Sequence, residues 1–243
     1  MKRSLILAVA LATAAVCTRL GIWQLDRLEQ RRAQNTVTES RLIQPALQLP
    51  TRLEPDSLRY RKAIALGTFD FEREIVVVGR SRNGVPAVHV VTPLKLNDGE
   101  AVLVERGLAL SPDARTVDLG ALRETDTSTV TGVLVSLGTE WSDSEIQGWP
   151  RYVRGVDPAE LQVEYPYSLF PLVLRRTANP PSASADLSPV PVPELTNGPH
   201  LSYAVQWFSF AAIVLVGSVF LINSLKKAPS PSSAHSAPTT PHP

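Results

Sequence analysis

The sequence predicts an α+β protein, with two transmembrane helices flanking a mainly β extracytoplasmic domain. Three observations carry this. Apolar runs occupy both ends of the chain, Ser4 to Ile22 and Tyr203 to Leu225, each close to the roughly 20 residues that cross a hydrocarbon core. The region between them is a series of short β-branched or alternating segments separated by turn residues. Basic residues flank the inner ends, Lys2 and Arg3 before the first run and Lys226 and Lys227 after the second. The positive-inside rule then puts both termini in the cytoplasm of a plasma-membrane protein and the intervening domain outside. The expected divisions are a first span at 1–23, an outer domain with a proline-rich connector at 24–200, a second span at 201–225 and a cytoplasmic tail at 226–243.

The first span is interrupted only by Arg19 near its outer end, where a long side chain can snorkel toward headgroups. Trp23 at one outer edge, and Tyr203 and Trp207 at the other, suit the interfacial belt. A cleaved signal peptide is the alternative for the N-terminus, and Ala14-Ala15-Val16-Cys17 hints at a lipoprotein site, but Val16 is large for the position before the cysteine. Retention is favoured because apolar character continues to Trp23 and leads into a helix-compatible stretch, Gln24 to Ser40.

Strands are expected at Tyr60–Thr68, Glu74–Gly79, Val85–Leu96, Ala101–Arg106, Thr129–Ser136 and Phe170–Arg175. Asn97-Asp98-Gly99 and Arg82-Asn83-Gly84 carry the residues that tight hairpin turns select. A helix is expected after Asp157, with Pro158 at its first position and Glu160 at its third. Asn179 to Pro193 is proline-rich and aperiodic, an extended connector back to the membrane, and Ala228 to Pro243 has the Pro/Ser/Thr composition of a disordered tail.

Composition excludes some classes. Outside the spans, 19 basic residues stand against 23 acidic ones, which leaves the outer domain near −4 and without an electrostatic footprint for nucleic acid. The one cysteine, Cys17, lies in the first span, so no disulfide and no cysteine metal site is expected. There is no G-x-S-x-G, no glycine-rich phosphate loop and no paired-histidine metal motif. Of four histidines, His235 and His242 lie in the tail and His89 falls within an expected strand, where a structural role is the simpler reading.

His200 is different. It follows Thr196-Asn197-Gly198-Pro199, a helix-start signature, and His200, Tyr203 and Trp207 fall at i, i+3 and i+7 on one face. A belt of aromatics with a polar cap accounts for Tyr203 and Trp207, and less well for the histidine. The positive end of the helix dipole disfavours imidazolium, and a neutral imidazole there can ligate a haem iron.

Gly21-Ile22-Trp23-Gln24-Leu25-x-Arg27 resembles the G-x-W-Q-x-x-R signature of the surfeit locus protein 1 family, membrane proteins that assist cytochrome c oxidase assembly. The resemblance continues through Tyr60-Arg61, Gly67-Thr68-Phe69-Asp70, Gly79-Arg80-Ser81-Arg82-Asn83-Gly84, Val91-Thr92-Pro93-Leu94 and Val102-Leu103-Val104-Glu105-Arg106-Gly107. It resumes at His200-Leu201-Ser202-Tyr203-Ala204-Val205-Gln206-Trp207-Phe208. The chain departs from the pattern where Leu108 follows Arg106-Gly107 in place of a tryptophan.

The resemblance implies a non-enzymatic assembly role: supplying haem a to subunit I of a haem–copper oxidase, or stabilising that subunit while it is filled, with haem a synthase as a further partner and membrane lipid around both spans. It implies that His200 contacts haem, transiently bound, as an iron ligand. Arg27 then suits a propionate or, alternatively, a lipid phosphate. Trp23, like Tyr203 and Trp207, suits the porphyrin edge or the interfacial belt. Arg106-Gly107, closing an expected strand, suits turn geometry or docking. Two rival classes remain: a membrane-tethered ligand-binding or sensor domain, and an outer-leaflet enzyme built from Asp, Glu, Arg and Tyr.

Overall fold

The computed structural model describes residues 2–138, 148–181, 183–192 and 195–227. The expected tail at 228–243, with His235 and His242, lies outside the described residues, as does Pro193 of the connector. The chain divides into two compact units, a helical one from residues 1–35 and 196–243 and a β one spanning Thr36–Leu195. The α+β architecture expected from the sequence is the one found.

The helical unit holds α1 (Lys2–Leu42), whose last turns belong to the β unit, and α4 (His200–Lys227). Both are long and apolar enough to cross a membrane. Their apolar side chains are turned outward rather than inward: Leu5, Val9, Ile213, Val216 and Phe220 are all more than half exposed. Such a surface is costly in water and normal against lipid tails, which fits a membrane protein. At 41 residues α1 is roughly 60 Å long, about twice a hydrocarbon core, so the helix-compatible stretch after Trp23 continues the span without a break.

Small residues make the seam between the helices. Ala14 and Cys17 of α1 pack with Ala211 of α4, Trp207 leans against them, and Ala204 is buried one turn nearer the start of α4. Gly21 faces the ring of Phe208, where a Cβ would stand 2.8 Å from two ring carbons. Close backbone approach replaces the hydrophobic driving force that lipid removes.

The β unit contains β1 (Leu47–Gln48), α2 (Pro55–Leu58), β2 (Lys62–Phe69), β3 (Ile75–Arg82), β4 (Val85–Leu96), β5 (Glu100–Leu110), β6 (Thr127–Val135), β7 (Arg151–Val153), α3 (Pro158–Leu161), β8 (Ser168–Leu169) and β9 (Val173–Arg176). Five strands close on themselves in the order β2-β6-β9-β5-β4, because β2 also pairs with β4 from Gly67↔Leu96 to Phe69↔Leu94. The ring is therefore a barrel. β3 and β7 extend it beyond β4, while β1 and β8 add short parallel edges to β2 and β5.

The two turns at 82–84 and 97–99 join β3 to β4 and β4 to β5 as expected. Asp157 caps α3 through its side chain, which accepts from the Ala159 amide at 2.9 Å. The expected strand at Phe170–Arg175 is shorter and later, beginning at Val173, and β1, β7 and β8 are too short to leave a periodic signal. The expectation that Arg106-Gly107 closes a strand is corrected: β5 runs on to Leu110, and Arg106 is a bulge within it, since Val90 pairs with Gly107 and Val91 with Glu105. Leu108 is buried against Ala87 and Val190 and forms a bridge with Ser188 of the connector.

Alternation sends neighbouring residues of one strand to opposite faces of the barrel wall. Ala63, Ala65, Phe69, Leu94, Leu96, Val102, Val104, Val130 and Leu174 fill one side, and Ile75, Val77, Val91, Leu103, Val133 and Val173 lie in a second core on the other.

Candidate functional site

Two polar constructions stand out, one in each unit. In the helical unit, Pro199 accepts the first helical bond of α4 from the Tyr203 amide at 3.1 Å, which makes His200 the first residue of the helix. The Nδ1 of His200 lies 2.9 Å from Oε1 of Gln24 on α1, a bond between residues 176 apart in the chain. Farther along α1, the Asn35 amide donates to the Thr196 carbonyl at 3.1 Å and to Asn197 Oδ1 at 3.4 Å. The loop before α4 is thus held at two points on one face of α1.

Gly198, at φ 65°, bends this loop beside the imidazole, and a Cβ there would stand 3.4 Å from both Cδ2 and Nε2 of His200. The half-buried ring therefore lies against the loop at Gly198. The other residues singled out from the sequence are spread around this point. Trp23 is 44% and Tyr203 48% exposed, so both present ring surface outward. The Arg27 guanidinium lies 5.6 Å from the centre of the Trp23 ring and donates to Gln30 Oε1 at 3.0 Å. Trp207 is half-buried in the helix seam, edge-on to Phe210 at 5.9 Å. The residue bonded to His200 is Gln24, which sequence reasoning quoted in a motif but did not assign to the site. Its position directly after Trp23 was the available signal.

The second construction was not foreseen. Glu105 and Arg106 are consecutive on β5, and Arg175 and Arg176 are consecutive on β9, all four buried. Alternation splits them into two ion-pair groups. Glu105 is paired in register with Arg175, whose Nε donates to Oε2, while His89 Nδ1 donates to Oε1 at 2.6 Å. Burial pushes the Glu105 carboxyl up, but the His89 bond and the Arg175 charge outweigh it and hold it below the usual range.

Through the wall, Arg106 donates from Nε to Glu124 at 2.8 Å, from Nη1 to Glu74 at 3.0 Å, and from Nη2 to the Leu122 carbonyl. Arg176 donates to both oxygens of Glu124, at 2.8 and 2.9 Å, and to the Arg106 carbonyl at 3.0 Å. Phe69 and Phe71 lie 5.6 and 5.1 Å from the Arg106 guanidinium. Burial raises Glu74 above the carboxylate norm, against the pull of Thr92 and Arg106, and lowers Arg176. This network holds β-strands together with matched charges, and it accounts for the Glu105-Arg106 motif. Among the described residues, no group of three or more His, Cys, Asp or Glu is placed to hold a metal ion.

A family model described as the SURF1 family matches residues 11–212, which takes in both helices' facing segments and the whole β unit. The chain belongs to the SURF1 family. Over 121 residues it is 31% identical to the cytochrome oxidase assembly protein SHY1 of Saccharomyces cerevisiae, covering 46% of this chain and 31% of the yeast protein. It is 27% identical over 232 residues to a SURF1-like protein of Monosiga brevicollis, covering 87% and 85% of the two chains. A SURF1-like protein of Rickettsia felis is 33% identical over 101 residues, covering 41% of this chain and 44% of that one. The SURF1 match includes Gln24 and His200 within its bounds.

Proposed function

We propose that this protein is a membrane assembly factor for cytochrome c oxidase that delivers haem a to subunit I, or steadies that subunit while the cofactor enters. Membership of the SURF1 family supports an assembly role, as does similarity to a relative named for oxidase assembly. In this reading both termini are cytoplasmic, the β unit faces the outer side, and haem a synthase is the partner that supplies the cofactor.

The observation that carries the haem assignment is the setting of His200. Its Nδ1 is bonded to Gln24 of the other helix, and the half-buried ring stands at the first residue of a long apolar helix. A haem brings a Lewis-acidic iron, a flat apolar ring and two propionates, and the residues present fit each of these. His200 offers the nitrogen donor. Trp23 and Tyr203 offer exposed ring faces at the level of the bilayer edge, and Arg27, held over Trp23, offers the cation suited to a propionate. The seam of small residues fixes the spacing of the two helices that carry these groups.

The test is replacement of His200 by alanine at its native locus. The variant is expected in membranes at normal abundance while haem a per oxidase subunit I falls. Normal occupancy with the variant in place removes the ligand role.

A further inference from the structure

We infer that Arg19, Trp23 and Arg27 form a seat on α1 for the phosphate of an acidic phospholipid. This goes beyond the assembly role and rests on the reading of α1 as a membrane span.

Arg19 sets the problem. It lies inside the apolar run Ser4 to Ile22, three residues short of its end, and it is exposed. A guanidinium is a permanent cation, and a cation at that depth is costly unless it meets an anion or reaches the headgroups. Among the described residues Arg19 has neither a hydrogen bond nor an ion pair, so the chain itself provides no counterion.

The helix then places two matching groups beside it. Arg19, Trp23 and Arg27 follow at i, i+4 and i+8, all three exposed, on the face opposite to Ala14, Cys17 and Gly21, which meet α4. Successive members stand one turn, about 6 Å, apart along the axis. The Arg27 guanidinium lies 5.6 Å from the centre of the Trp23 ring, so it leans back along the helix toward the apolar run. Snorkelling carries the Arg19 head the other way, and Trp is a residue that settles at headgroup depth. Both cations therefore reach for the level of Trp23.

The cations are also free to bind. Arg27 gives one Nη1 donor to Gln30 and keeps the rest of its fork. Asp26, next to it in sequence, makes no ion pair with either arginine among the described residues. Two guanidinia around an exposed ring match a phosphate of uncompensated charge above an acyl chain. A zwitterionic headgroup brings its own ammonium to the phosphate and gains less from them. A haem propionate offers the same anionic oxygens; the lipid is the occupant of the haem-free protein.

The test uses the full-length, haem-free protein in phosphatidylcholine vesicles. These contain the same mole fraction of either dibrominated phosphatidylglycerol or dibrominated phosphatidylcholine, and bromine quenches nearby tryptophan. The Trp23 signal is the fluorescence that Trp23→Phe removes. Phosphatidylglycerol is expected to reach half-maximal quenching at the lower mole fraction. Arg19→Leu and Arg27→Leu should each raise that fraction about fivefold, the usual worth of one cation near an acidic lipid surface. Arg41→Leu, which removes a cation near the far end of α1, should leave it unchanged. Equal quenching by the two lipids, or an equal loss in Arg41→Leu, overturns the inference and leaves the span standing. A Trp23 quenched by neither lipid overturns the span reading on which it rests.

Discussion

Single side chains in this protein are set by partners far away in sequence, and their energetics differ in sign. Glu105 is the clearest case. Its carboxyl is held below the ordinary value of 4.5, so the folded state gains from it above that value and loses the gain as the pH falls through the depressed folded value. Glu74 behaves in the opposite sense: burial raises it, so its contribution declines as the pH climbs past 4.5. Glu105→Gln should therefore cost about 3–5 kcal/mol at neutral pH, since it leaves Arg175 buried without its anion, and should flatten acid unfolding. Glu74→Gln should cost clearly less, because Arg106 keeps Glu124. Thermal unfolding of both variants across the acid range checks the order. Equal costs would mean that the two carboxylates sit in equivalent settings. At this scale the sequence was only partly legible. His200 announced itself by its place beside a helix start, and His89 proved structural, as expected. Glu105 and Arg175 read as strand residues and Arg106 as a turn or docking residue, and none announced its ion pair, because pairing through a closed barrel brings together residues 70 apart and local pattern carries no trace of it.

Elements show where pattern is strong. The hairpins were legible because turn chemistry is local, and β4 was found at its expected bounds, Val85–Leu96. Closure of the barrel was not, since it depends on three residue pairs between β2 and β4 that no periodicity specifies. Both membrane helices were visible as apolar runs, whereas the seam between them was not: Ala14, Cys17 and Ala211 are unremarkable letters until they face one another. The seam makes a prediction. Ala14→Phe adds a ring where the helices are in contact, and overpacking of this kind costs about 1–3 kcal/mol. Thermal unfolding of that variant in detergent, compared with the wild type, checks the cost. An unchanged midpoint would show that the helices accommodate the ring without strain.

The whole molecule combines two helices long and apolar enough to cross a membrane, bridged by the Gln24–His200 contact, with a barrel whose wall is locked by buried ion pairs. That division suits the proposed assembly role, in which an anchored chain presents a rigid surface to a larger partner. The sequence carried the architecture and the family through the order of its motifs, and it pointed to His200 through position alone; it could not supply Gln24, because the contact exists only once the two ends of the chain are side by side. The most direct measurement is the haem a content per oxidase subunit I in membranes from cells lacking this protein. A clear deficit with subunit I still present is the expected result, and it places the protein at cofactor insertion. Full haem a occupancy in those membranes would contradict the account.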